Sequence, residues 1–430
     1  MSTVCIDGYN LALPNGTGIA TYGRNLLSSM KSLGLGRQVL FGPPNAISGD
    51  NVLNEVALAD SLNTSAKIRK GQRFVKTLST RFGRSATGVQ PSGEVIWPSR
   101  SGGRPDADSF WAAQNLFHYA LRGFQVYGTP TPVTFDASHA AKPDVMHWTA
   151  TLPLHATNAA NIYTIHDLIP LRLPHSTTEN KASYRKLCNH IAKKADHIVV
   201  VSETTRQDVI RLLGVDENRV TNTYQAVEVP EELRTRPQSE IELELDGIFN
   251  LEWKGYFLYF GAIEPKKNVG RMIEAYLSSG VEKPLIIVGG RSWLAEGETA
   301  LLDQVKRDGG RSADRVRRYE YMSQSMLISL IRGARATLFP SLYEGFGLPV
   351  LESMLLQTAV LTSTAGSLPE IAGEAALMVD PYDVRAITRG IKALASDNDL
   401  VASLTERGIA QAGRFSAERY KDRLMSVYKQ

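Results

Sequence analysis

Residues 336–353 read ATLFPSLYEGFGLPVLES, and the order of residue types in that stretch sets the fold class. The leading run is apolar without alternation, as in a strand buried on both faces of a parallel sheet. Pro340, Ser341, Gly345 and Gly347 then break the run into a loop. Pro349 suits the first position of a helix, where a missing N–H costs nothing. The stretch is therefore a strand, a loop at its C-terminal end and a helix. It places Glu344 in the loop and Glu352 in the first helical turn. Gly345 and Gly347 let the backbone approach a ligand closely. The helix start adds free N–H donors and partial positive charge, which favour a phosphate or an oxyanion. Carboxylates accept hydrogen bonds from sugar hydroxyls. Two of them beside such a helix end suit a ligand carrying both hydroxyls and phosphates, and a nucleotide sugar is one.

The same alternation extends outward in both directions. Downstream, AVLTST is a strand, and DVRAITRGIKALAS and AERYKDRLMSVYKQ are closing helices. Upstream, YFLYFGA, KPLIIVGG and RATLFPS are strands separated by the helices NVGRMIEAYLSSG and SQSMLISLIRGA. In the first half, STVCIDGYNL, DVMHW, NIYTIHDL and DHIVVVS are strands. GIATYGRNLLSSMKSLG, TENKASYRKLCNHIAKKA and ETTRQDVIRLLG are helices, the last capped by Ser202 or Thr204 and closed by Gly214. Such repetition predicts α/β architecture with two doubly wound parallel sheets. The acidic, proline-containing stretch 231–252 reads as a linker between them. The expected division is 1–230, 231–252, 253–412 and a closing helix over 413–430. Ligands of such sheets bind at the C-terminal ends of strands, which puts the site in a cleft between the halves.

The bulk properties agree with that division. A chain of 430 residues exceeds one ordinary core. No apolar run of about 18 residues exists, so no membrane-spanning helix is expected. The first residues read as a strand, with no signal peptide. The two cysteines, Cys5 and Cys188, read as buried thiols, in keeping with a reducing cytoplasm. Net charge is only +4, but residues 61–105 carry nine Lys or Arg against Glu94 alone. Residues 61–110 read as a basic insertion. Within it Phe74, Leu78 and Phe82 recur every four residues among basic neighbours, which suits an amphipathic helix over 67–84 on an anionic membrane surface. The overall charge is too small for a nucleic-acid binder. Asp106-Ala107-Asp108 has the letters of a metal-binding DxD motif but no apolar strand leading into it, and no metal or other cofactor is expected. Neither a P-loop nor a G-x-S-x-G elbow is present.

FPSLYEGFGLPVLES resembles the E-x7-E signature of retaining glycosyltransferases of family 4, which have the GT-B fold. Further stretches carry the resemblance along most of the chain. They are YFGAIEPKKN (259–268), RRYEYMSQSMLISLIRGARATLFPS, TSTAGSLPEIAGEAALMVDPYD (362–383), NGTGIATYGRNLL, TIHDLIP and VVVSETTRQDV. The resemblance implies that Glu344 binds the transferred sugar and that Gly345, Phe346, Gly347 and Leu348 contact sugar and diphosphate. It implies that Glu352 holds the ribose, Lys267 neutralises the leaving diphosphate and His166 faces the sugar or acceptor. Gly16 and Gly18 would close on the donor phosphates, and Gly261 and Tyr321 would line the donor site. One departure lies close to the chemistry. Many relatives carry an arginine after the strand glycine, where this chain has Ala262, leaving Lys266 or Arg271 as a second cation. Lys267 also stands on physical grounds, because a positioned cation stabilises the charge that develops as a diphosphate leaves.

The expected function is transfer of a hexose, most simply mannose from GDP-mannose, to a glycan acceptor carried on a polyprenyl diphosphate. The resemblance is to bacterial mannosyltransferases of surface polysaccharide assembly. A cytoplasmic, membrane-peripheral location follows from that acceptor. Two alternatives remain open from sequence. One is a related enzyme that uses a UDP-hexose or makes a soluble glycoside. The other is a non-enzymatic nucleotide- or glycan-binding module.

Overall fold

The structure, a computed structural model, describes residues 2–11, 18–45, 50–60, 79–98, 103–137, 140–290, 295–307 and 314–429. Among these, two sheets divide the strands at the middle of the chain. The first contains β1 (Thr3–Asp7), β2 (Gly36–Phe41), β3 (Arg84–Val89), β4 (Ser109–Ala112), β5 (Thr131–Asp136), β6 (Val145–Trp148), β7 (Leu154–Ala156), β8 (Ala160–Ile165), β9 (His197–Val200) and β10 (Val220–Asn222). Their order across the sheet is β10-β9-β8-β6-β1-β2-β4-β3-β5-β7. The second contains β11 (Phe257–Phe260), β12 (Leu285–Val288), β13 (Val316–Tyr319), β14 (Ala336–Phe339), β15 (Ala359–Ser363) and β16 (Leu377–Val379), ordered β13-β12-β11-β14-β15-β16.

All pairs in the second sheet are parallel. The first departs from expectation in one place, where β3 runs antiparallel to β4. β3 and the start of β4 lie in the stretch read as a basic insertion, so the later part of 61–110 is built into the sheet. Trp97 is buried there, with its indole N–H donating to Glu55 at 3.0 Å. The proposed amphipathic helix over 67–84 falls largely outside the described residues. Its described end is a single 3-10 turn, Ser79–Phe82, followed directly by β3. Asp106 and Asp108 are occupied structurally. Arg37 reaches them at 2.9 and 2.6 Å, and Lys31 reaches Asp106 at 2.9 Å.

Local chemistry explains the helices that frame the cleft. Ser202 accepts a hydrogen bond from the Thr205 N–H, and Gly214 ends the helix Glu203–Leu213 at a φ of 65°. Residues 231–252 are not a plain linker. They form helices at Glu231–Arg234 and Gln238–Glu244 and a π turn at Leu245–Phe249, and Ile241, Leu245 and Phe249 are buried in the second half's core. The final helix, Ala417–Tyr428, crosses back to the first half. There the Tyr428 hydroxyl meets His147 Nδ1 at 2.6 Å, while His147 Nε2 meets Thr164 Oγ1 at 2.8 Å. His147 is fully buried, and burial drives its basicity down to about 3, so it stays neutral. Among the described residues no helix is long and apolar enough to cross a membrane.

Candidate active site

The C-terminal ends of the central strands of the two sheets face one another. On the second half, β14 delivers Ser341 and Glu344, and the loop after β11 delivers Lys266 and Lys267. Lys267 Nζ donates to Glu344 Oε1 at 2.6 Å, and Ser341 Oγ donates to the same oxygen at 2.9 Å. Glu344 is 8% exposed. Burial pushes its carboxyl up, but the charges of Lys267 and Lys266 outweigh this and hold it below the ordinary carboxylate range. The loop is pinned from behind, since Ser367 Oγ donates to the carbonyl oxygens of Glu344 at 3.0 Å and Phe346 at 2.6 Å. Phe346 is buried against Phe415 and Tyr224.

Gly347, at a φ of 120°, turns the chain into the helix Leu348–Leu355. Leu348 is the first helical residue and Pro349 the second, so Glu352 begins the second turn and not the first. Its carboxyl has no hydrogen-bond partner among the described residues, and burial alone drives it up to about 7. The side chain is half-buried, and an unpartnered carboxyl so placed can accept from a ligand that brings donors with it.

The first half contributes His166 at the end of β8. Its Nε2 lies 2.8 Å from the carbonyl oxygen of Thr149, and Tyr22 meets the ring edge-on at a centroid distance of 5.0 Å. A carbonyl only accepts, so Nε2 carries the proton. Burial lowers the ring's basicity, against the opposing pull of the Thr149 carbonyl and Asp167. The imidazole is thus neutral, and Nδ1 has no hydrogen-bond partner among the described residues.

The halves touch at this point. A Cβ on Gly345 would lie 2.2 Å from the His166 carbonyl oxygen and 2.9 Å from Asp167 Cβ. Gly345 therefore admits the facing half of the protein, beyond the ligand approach that its sequence context suggested. Tyr343 donates to Asp208 Oδ2 at 2.5 Å, and Thr205 Oγ1 donates to the His166 carbonyl at 3.2 Å. Glu370, from the second half, accepts from the N–H groups of Glu203 at 2.6 Å and Thr204 at 3.1 Å. It caps a helix of the first half across the cleft. Sequence reasoning missed this role, although Glu370 stands in the quoted stretch SLPEIAG. It also missed Asp7, Tyr22 and Thr149 around His166, because their contacts span the sheet and leave no local pattern.

The other expected residues divide. Leu348 and Gly18 come together, a Cβ on Gly18 falling 3.9 Å from Leu348 Cδ1. Gly16 lies outside the described residues. Gly261, at a φ of 129°, ends β11 with its carbonyl against Gly289, where a Cβ would sit only 1.9 Å away. Tyr321 is 81% exposed beyond β13, an edge strand two places from β11, and does not join the recess around Glu344. That recess is lined by Tyr259, Phe260, Lys267, Phe339, Ser341, Glu344, Gly347, Pro349, Val350 and Leu368. Of the two candidate second cations, Lys266 lies beside Glu344 and 3.5 Å from Glu264, and Glu344 and Asp167 reinforce its charge against burial. Arg271 is engaged elsewhere, with Asn268 at 2.9 Å and the Tyr382 ring.

Comparison with known proteins agrees with this arrangement. Residues 246–411 match the model for glycosyl transferases group 1, and residues 88–229 match that for glycosyltransferase family 4. The chain is 32% identical over 274 residues to O-antigen chain mannosyltransferase B of Escherichia coli, spanning 62% of this chain and 70% of that one. It is 28% identical over 229 residues to O-antigen chain mannosyltransferase RfbU of Salmonella typhimurium, spanning 53% and 59%. In fold it is similar to sucrose-phosphate synthase from Thermosynechococcus elongatus, with a TM-score of 0.67 at 16% identity over 100% and 99% of the two chains. It is likewise similar to Anabaena HepE in complex with UDP and glucose, with a TM-score of 0.66 at 13% identity over the full length of both. Two facing α/β halves, both family matches and the kinship with the Escherichia coli enzyme lead to one conclusion: the chain belongs to glycosyltransferase family 4, with the GT-B fold.

Proposed function

We propose that this glycosyltransferase transfers mannose from GDP-mannose, with retention, to a growing glycan on a polyprenyl diphosphate during assembly of a bacterial surface polysaccharide. The observation that carries the reading is the buried Glu344–Lys267 pair at the strand ends, opposite His166, in a chain similar to O-antigen mannosyltransferases. Glu352, half-buried and unpartnered among the described residues, receives the two ribose hydroxyls. The backbone of Gly345, Phe346, Gly347 and Leu348 meets the sugar and diphosphate, with Gly261, Gly16 and Gly18 closing around them. Tyr321 serves the outer, nucleoside end of the donor.

Lys267 leaves Glu344 for the diphosphate as the donor enters, and Glu344 turns to the sugar's hydroxyls. Lys266 takes the place of the arginine absent at Ala262. As the bond between sugar and diphosphate breaks, negative charge grows on the leaving phosphate, and the two lysines stabilise it without reorganising. Among the described residues the site offers no side chain placed as an obvious nucleophile. Retention is therefore assigned to attack from the face the phosphate leaves, with the phosphate taking the acceptor hydroxyl's proton. His166 Nδ1 accepts a hydrogen bond from the sugar or acceptor. Contact of Gly345 with His166 and Asp167 excludes water from the reacting centre, which limits hydrolysis. No metal enters this scheme, and turnover in the presence of EDTA tests that.

The lipid-linked acceptor is supported by the basic sequence 67–84, whose described end leaves Phe82 86% exposed beside Arg81. Sedimentation with anionic liposomes tests this part, and a protein that stays in the supernatant favours a soluble acceptor. The donor is tested by calorimetry against GDP-mannose, UDP-glucose, UDP-galactose and UDP-N-acetylglucosamine, for wild type and Glu352→Ala. Micromolar binding of GDP-mannose, weakened by the substitution, is expected. Binding of a UDP sugar instead overturns the donor, and equal binding by Glu352→Ala overturns the pocket.

A further inference from the structure

Three neighbouring strands of the first sheet, β1, β6 and β8, end side by side at the cleft. Asp7 closes β1, Thr149 follows β6 and His166 follows β8. Their hydrogen bonds run in a line across the sheet. Asp7 Oδ2 accepts the Thr149 N–H at 2.5 Å, and the Thr149 carbonyl accepts the His166 Nε2–H at 2.8 Å. Asp7 Oδ1 accepts the Tyr9 N–H at 3.3 Å. Asp7 and Thr149 are 0% and 2% exposed, and no cation pairs with Asp7 among the described residues.

A carboxylate buried without a counter-ion is a costly way to hold a turn. What it supplies is two acceptor oxygens, facing two backbone N–H groups at once. Asparagine has one acceptor, and its amide N–H groups would face a second donor. The charge thus locks the backbone of Thr149, and with it the direction of the carbonyl that holds His166.

We infer that Asp7 is a positioning residue for His166, fixing through Thr149 the tautomer and aim of the imidazole that meets the sugar or acceptor. The inference rests on the role assigned to His166 above. Asp7 touches no reacting atom. It keeps the proton on Nε2 and the lone pair of Nδ1 directed at the cleft. The Tyr22 ring meets the same imidazole edge-on.

Two measurements on the whole protein test this. The first is nitrogen-15 histidine NMR of wild type and Asp7→Asn. The expected result is a single Nε2–H tautomer for His166 in wild type, assigned with His166→Ala, and a mixture in Asp7→Asn. An unchanged tautomer in the variant overturns the inference. Asp7→Ser, which keeps one acceptor, takes its place if Asp7→Asn does not fold. The second is a double-mutant cycle on transfer from GDP-mannose to an octyl mannoside. Asp7→Asn is expected to lower kcat about tenfold, leave the calorimetric Kd for the donor unchanged, and add nothing in the His166→Ala background. A loss that multiplies onto that of His166→Ala shows Asp7 acting elsewhere and overturns the inference while leaving His166 its role. Wild-type kcat in His166→Ala overturns the role of His166 and the inference with it. The NMR result stands whichever donor the enzyme uses.

Discussion

Replacing Gly345 by alanine adds one methyl group at the contact between the halves. The new Cβ would stand 2.2 Å from the carbonyl oxygen of His166 and 2.9 Å from the Cβ of Asp167. An ordinary carbon–oxygen contact is about 3.3 Å, so the two loops must separate by roughly 1 Å. Neither loop yields easily on its own side. The Glu344 and Phe346 carbonyls are tied to Ser367, and the His166 carbonyl is tied to Thr205. The strain is therefore relieved by parting the halves. Overpacking of this kind costs about 1–3 kcal/mol in a rigid core. Here a cleft can open, and the stability loss should sit near the lower end. Activity has no such relief, because a 1 Å misplacement of reacting groups costs on the order of 100-fold. We expect Gly345→Ala to weaken donor binding by only about threefold, since Glu352 and Lys267 keep their places while the Gly345 backbone shifts, and kcat to fall about 100-fold. Calorimetry, steady-state kinetics and small-angle scattering of the donor-bound protein read the three effects. Wild-type kcat together with an unchanged scattering profile would refute the reasoning, because it would mean that the contact is not made during turnover.

Three other outcomes follow from the geometry. Glu352 has a folded-state pKa raised from 4.5 to about 7, so it is stabilising when protonated, and that contribution is lost as pH rises through 7. Glu352→Gln should be more stable than wild type at pH 8 by up to about 3 kcal/mol, with no difference near pH 4, yet bind donor less well. Chemical denaturation across pH checks this, and a gap that widens toward acid pH refutes it. Lys267→Ala leaves Glu344 buried without its partner at 2.6 Å. It should cost about 3 kcal/mol of stability at neutral pH and at least 100-fold in kcat, with the stability gap to wild type closing as acid protonates Glu344. Glu370→Gln weakens the cap on Glu203 and Thr204 and should cost about 1 kcal/mol, seen as earlier separation of the two halves in a denaturant titration.

The strand and helix around Glu344 were legible because punctuation and apolar runs are local signals. ATLF has no polar residue to turn outward, and the glycines and Pro349 mark where it stops. The helix Glu203–Leu213 was legible for the same reason, with Ser202 and Gly214 at its ends. The helical content of 231–252 was obscured by prolines and acids, although Ile241, Leu245 and Phe249 do recur every four residues. β3 and β4 were illegible because Ser, Thr and Gly dilute strands of only six and four residues, which gain their stability from neighbours on both sides. Of the site, the two glutamates, Lys267 and His166 stood out by residue type and surroundings, and the structure brings Lys267 and Glu344 together and sets His166 opposite. Tyr321 stands exposed after β13, apart from the residues that line the recess, a placement set by strand order. The surroundings of His166 come from positions 22 and 149, with Asp7 behind Thr149, and only the folded sheet makes those neighbours.

The bond between His147 and Tyr428 joins residues 281 positions apart. A ribosome making this chain from its N-terminus has finished every strand of the first sheet long before Tyr428 exists. Until then His147 sits in the half-built core with one nitrogen unanswered and the groove for the last helix uncovered. The first half is thus synthesised early but matures late. It waits, open to chaperones or to its own neighbours on the polysome, for a segment encoded after the entire second half.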